Sequence, residues 1–145
     1  MSINSVKGFI ASLRDDLANL NQLIYAQEKQ YELLSRRESS QLTHLNQDIL
    51  ATLETLRRSN EHREQYLQEL GLTPDKAGAQ HLKERLPSPL KEATARLLEE
   101  LAMKSSVCSM MNERAGRLLA NQRQLLNRLT GAPSQQDYPQ FPIPR

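Results

Sequence analysis

Apolar side chains recur along this chain at alternating steps of three and four, and the pattern is densest between Leu90 and Leu129. One register reads Leu90, Leu97, Lys104, Met111, Leu118, Leu125; the other reads Thr94, Leu101, Cys108, Ala115, Gln122, Leu129. Nine of these twelve positions are apolar or small, the signature of a helix packed along its length. Leu119 and Leu126 add a second apolar row, so the stripe widens towards its C-terminal end. A helix with a single neighbour has no use for that width. The surplus points to a surface kept for a partner.

The same periodicity predicts two earlier long helices. Val6, Ile10, Leu13, Leu17, Leu20, Ile24, Tyr31 and Leu34 form the first seam, broken only at Gln27, with Asn4 or Ser5 as its expected N-cap. Leu42, Leu45, Ile49, Leu53, Leu56, Leu67 and Leu70 form the second, interrupted by the polar run Ser59 to Glu64. The polar residues 35–40 contain neither Gly nor Pro, so a turn and a continuous helix both remain open there. Gly71 suits a helix C′ position, and Thr73-Pro74 suits the start of a short helix running to Arg85, before Pro87. Ser88, Pro89 and Glu92 fit the start of the last helix, which Gly131 would end. The expected fold class is all-α: an antiparallel bundle of three long helices and one short one over residues 1–131. Residues 132–145 hold four of the seven prolines and are expected to be a disordered tail.

Composition adds constraints. Only 4% of the 145 residues are aromatic and there is no Trp, which argues against a thick globular core. Residues 1–70 carry 8 basic and 10 acidic side chains, residues 71–145 carry 11 and 7, and the net charge of +2 is too small to imply nucleic acid. The lone Cys108 excludes an internal disulfide and suits a reducing compartment. No secretory leader or run of ~18 apolar residues is visible. A soluble, cytoplasmic protein without membrane insertion is expected.

Catalytic readings find little support. His44, His62 and His81 are dispersed, no Glu-x-x-His pair occurs, and no HExxH, CxxC or phosphate-cradling glycine motif is present. No metal, cofactor, small-molecule substrate or enzymatic activity is expected. Cys108 falls on the seam and reads as a buried structural thiol. Adjacent acids such as Asp15-Asp16 and Glu99-Glu100 diverge by about 100° around a helix and read as solvated faces. Arg114, Arg117 and Arg128, interleaved with Asn121 and Gln124, form a stripe that is either solvated or the flank of an apolar groove. Gly116 in mid-helix costs about 1 kcal/mol relative to Ala, a cost that close approach of another helix or a local bend would offset.

Several segments together resemble the FlgN-type flagellar export chaperones. They are Leu20-x-x-Leu23-Ile24-x-x-x-Glu28, then Leu53-x-x-Leu56 followed by Arg63-x-x-x-Leu67-x-x-x-Gly71. The most telling is Met111-Asn112-Glu113-Arg114-Ala115-Gly116-Arg117-Leu118-Leu119, with Asn121 and the closing Leu129-Thr130-Gly131. Ala115 stands where the family commonly has a second Asn, and Asp48 where a Lys is frequent. The resemblance covers about residues 13–131.

The resemblance implies binding without turnover: family members hold the C-terminal segments of the hook-associated proteins FlgK and FlgL and present them to the flagellar type III export gate. The residues expected to meet the client are Met110, Met111, Arg114, Gly116, Leu118, Leu119, Leu125 and Leu126. Tyr138 and Phe141, set among prolines in the tail, are candidates for docking at the gate. Two other readings use the same residues. A self-associating coiled-coil adaptor would turn the seam onto its own copies, and an RNA-binding helical protein would use the arginine stripe.

Overall fold

The computed structural model describes residues 2–130, apart from the side chains of Leu126 and Thr130. The described chain is four helices: α1 (Ile3–Arg36), α2 (Ser39–Glu69), α3 (Lys76–Glu84) and α4 (Leu90–Thr130). The ending of the fourth at Gly131 and the tail lie outside the described residues.

α1 and α2 form an antiparallel hairpin. Ser5 donates to Glu69 at 2.7 Å and Gln30 to Asn46 at 2.9 Å, so numbers rise along one helix as they fall along the other. The question left open at residues 35–40 is decided by Arg37, which adopts the left-handed conformation at φ 58°. Its N–H reaches the Leu34 carbonyl at 3.2 Å and that of Glu38 reaches Leu33 at 3.0 Å, closing α1 without a glycine. Gly71, at φ 76°, closes α2 in the same way, with Leu72 N–H on the Leu67 carbonyl at 2.9 Å. α4 runs parallel to α1, since Gln27 meets Cys108 and Leu34 meets Gln122.

Two apolar clusters sit along α1. The first joins Phe9, Ile10 and Leu13 to Leu67, Leu72, Leu82 and Leu86, with Leu97 and Leu101 packed against it. The second joins Leu20 and Leu23 to Ile49, Leu53, Leu56 and Cys108. α3 covers the first cluster through Leu82, which is fully buried.

Between the clusters lies a buried ion pair, Asp16 with Arg63. Arg63 also reaches Ser59 at 3.3 Å and Asn60 at 3.2 Å, so Arg63, within the polar interruption of the α2 seam, is internal structure, while Glu61 and His62 of the same run are exposed. The solvated reading of Asp15-Asp16 therefore fails for Asp16, which is 2% exposed. It holds for Glu99 and Glu100. The break at Gln27 is buried too, its side-chain amide donating to the Cys108 carbonyl at 3.2 Å.

Helix starts differ from expectation. Ser2 occupies the N-cap position of α1 without a side-chain bond, and Ser5 lies buried inside the helix. Asp75, not Thr73, caps α3: its carboxylate accepts from Gly78 N–H at 2.9 Å and from the Thr73 hydroxyl at 2.7 Å. A carboxylate accepts both bonds, while Thr73 reaches the helix only through it. Before α4, Ser88 donates to the Glu92 carboxylate at 2.7 Å.

Candidate functional site

α4 outruns the hairpin. Gln122 donates to the Leu34 carbonyl at 2.6 Å, and α1 ends two residues later at Arg36. Eight more residues carry α4 to Thr130, about 12 Å at 1.5 Å per residue. No other described helix is placed to cover that end, and Leu125 is 44% and Leu129 74% exposed. Seam position alone had placed both on the packed side. The deeper register, Thr94, Cys108 and Ala115, is buried against α1.

The second feature is a groove. α1 packs against both α2 and α4, but the α2 and α4 backbones nowhere approach within 8 Å among the described residues. A space of about 1530 Å³ runs beside α4, with Phe9 and Leu13 in its floor and Arg63, Leu67, Ala79 and Lys83 in its far wall. The α4 wall is a row of alternating 3-4 spacing: Ala95, Leu98, Ala102, Ser105, Ser109, Asn112, Gly116, Leu119 and Arg123. Most of these side chains are small. Periodic Leu counting missed the row because its period is carried by Ala, Ser and Gly. Continuing the 3-4 spacing from Leu98 to Leu119 would have found it.

The expected client residues divide between faces of α4, because Leu118 and Leu119 point about 100° apart. Gly116 and Leu119 line the groove. Met111, Leu118 and Leu125 lie on the other flank, and Met110, 62% exposed, points outward. The Arg114 guanidinium sits 3.8 Å above the Tyr31 ring, a cation–π contact that ties it to α1. The side chain of Leu126, and Tyr138 and Phe141, lie outside the described residues. Close approach of a helix of this chain does not explain Gly116: a Cβ there would meet nothing within 4 Å. Arg117 and Arg123 have no acidic partner among the described residues.

Cys108 is fully buried, and burial pushes its thiol up to about 11. Among the described residues no three His, Cys, Asp or Glu side chains are grouped to hold a metal ion. No helix is long and apolar enough to cross a membrane.

The family model of the FlgN protein matches residues 1–138. The chain belongs to the FlgN family. That membership places it among chaperone-type proteins of flagellum biogenesis. The crystal structure of a Pseudomonas aeruginosa flagella synthesis protein FlgN superposes with a TM-score of 0.69, at 24% identity, over 89% of this chain and 98% of that one. At that identity the likeness is one of fold, and the FlgN fold accounts for the long final helix lying beside a helical hairpin. No curated protein sequence matches the chain.

Proposed function

We propose that this FlgN-family protein is a cytoplasmic export chaperone that holds the C-terminal segments of FlgK and FlgL on the C-terminal half of α4 and delivers them to the flagellar type III export gate. The observation that carries this reading is the uncovered end of α4, where Leu125 and Leu129 stand exposed beside the half-buried Leu118 and Leu119. A client segment that is amphipathic but unfolded as a monomer exposes apolar side chains and self-associates. Laying them on α4 hides them, and the ordering cost keeps the complex releasable. Met110 and Met111 supply adaptable contact. The tail, through Tyr138 and Phe141, is the segment proposed to reach the gate while α4 holds the client.

Leu119→Ala with Leu126→Ala should abolish binding of the FlgK and FlgL C-terminal segments, measured by calorimetry, with helicity nearly unchanged. Cooperative loss of circular dichroism in that variant would instead make the two leucines core. Deleting residues 134–145 should impair gate docking and secretion while client affinity stays within about twofold. A truncated protein that docks normally removes the tail from the mechanism.

A further inference from the structure

Met103 and Met110 are 57% and 62% exposed, with the half-buried Val107 between them. None of the three belongs to either apolar cluster, and none lines the groove. Both methionines stand about 140–160° round the helix from Cys108, whose carbonyl meets Gln27 of α1. They therefore look away from the rest of the chain. We infer that this outer face of α4 is a self-association surface, on which a second copy lays its own α4 antiparallel. Pairing of this kind goes beyond the chaperone reading and stands without it.

The register names the occupant. The outer row reads Arg96, Glu100, Met103, Val107, Met110, Arg114, Arg117 and Asn121, a strict alternation of steps of four and three. Such a row has the same spacing read from either end, so two copies mesh about a twofold axis level with the midpoint of Val107 and Met110. Val107 of each copy then meets Met110 of the other, and Met103 meets Arg114. Methionine adapts to such a contact. Arg114 keeps its guanidinium over the Tyr31 ring of its own copy and lends its stem to the pair.

Charge fixes the direction. Glu100 stands seven residues before Val107, and Arg117 seven after Met110. Both are exposed, and neither has an ion-pair partner among the described residues. Antiparallel copies bring Glu100 to Arg117 at both ends of the apolar centre. Parallel copies would set Glu100 against Glu100 and Arg117 against Arg117. A foreign helix would have to reproduce this spacing and these charges, whereas a second copy carries them already. The tail, with Pro139, Pro142 and Pro144, offers no helical row to mesh with it.

Size sets the strength. The row spans 25 residues, about 37 Å, and a strip about 10 Å wide covers roughly 370 Å² of each copy. That total of about 740 Å² is under the ~1,200 Å² of a stable complex, so the pair is weak, with a dissociation constant on the order of 0.1 mM. The groove stays open in it, because Ser109 on the groove wall and Val107 on the outer row point about 160° apart.

Sedimentation equilibrium of the full chain at rising concentration tests the pair, with thermal melts of every variant alongside. The mass should climb from the 16.6 kDa of one chain towards twice that value. Met103→Ser with Met110→Ser should weaken association about tenfold or more with the melt intact, since both side chains are exposed. Glu100→Arg and Arg117→Glu should each weaken it, most at low salt. The double swap, Glu100→Arg with Arg117→Glu, should restore it, a rescue that only antiparallel pairing gives. Association that survives the methionine change, or a double swap that fails to rescue, would overturn the inference, as would a chain monomeric at millimolar concentration. Should that monomer lose the FlgK or FlgL segment on Met103→Ser with Met110→Ser, the face belongs to the client and the inference falls. Should the methionine variant unfold, the charge swap decides alone.

Discussion

Asp16 and Arg63, 47 positions apart, meet as a buried ion pair where α1 crosses α2, with 2% and 7% of their surfaces exposed. Asp16 Oδ1 accepts nothing from the described residues. The pair separates the two apolar clusters and holds one register of the hairpin.

Breaking that pair from one side leaves a charge buried alone. Arg63→Ala should cost about 3–5 kcal/mol. Asp16→Leu with Arg63→Leu should come out near neutral or more stable, since removing both charges removes both desolvation costs. Urea denaturation of the two variants gives both numbers, and equal losses would show that packing, not charge, dominates the site.

Two glycines should respond in opposite senses. A Cβ on Gly78 would stand 1.8 Å from the Thr73 carbonyl oxygen, so Gly78→Ala must displace the backbone that leads into α3. A loss of about 2 kcal/mol or more is expected. Gly116→Ala meets open space and should gain about 1 kcal/mol. Thermal melts of both variants check the contrast.

Cys108 should resist thiol reagents in the native state. With the thiol pushed up to about 11, roughly 0.1% is thiolate at pH 8, and burial blocks access to that. Rapid native labelling would refute the packing. Above about pH 9 the folded chain holds this proton more tightly than the unfolded one, so stability should fall as pH rises towards 11. Denaturation curves at pH 8 and 10.5 should show a smaller alkaline loss for Cys108→Ala.

The cap on α3 should fail in acid. The Thr73 hydroxyl, then the Gly78 N–H, hold the Asp75 carboxyl below its ordinary range. The folded chain thus binds this proton more weakly than the unfolded chain. The contribution is present above the ordinary carboxylate range and is lost as pH falls through the lowered value. The Gly78 amide resonance should titrate with that lowered midpoint in wild type and stay flat in Asp75→Asn.

What the sequence determined by itself is what local periodicity encodes. Leu13, Leu20, Ile49, Leu56 and Cys108 fall on helical seams, and all five are buried. Gly71 stops α2 because a left-handed residue was needed there. The FlgN resemblance likewise depended on the order of such segments. Tertiary structure decided the rest. Asp16 looked solvated beside Asp15 until α2 brought Arg63 to it, since a buried charge depends on a partner distant in sequence. Gln27 broke its seam on paper yet is buried because the Cys108 carbonyl lies opposite. Arg37 turned the chain although nothing in its side chain asks for a left-handed backbone. The candidate site divides in the same way. Its apolar width was legible in Leu118, Leu119 and Leu125, but periodicity names the faces of a helix without saying which neighbour covers each. Only the placement of α4 beside α1, apart from α2 and past the end of the hairpin, shows which flank stays open.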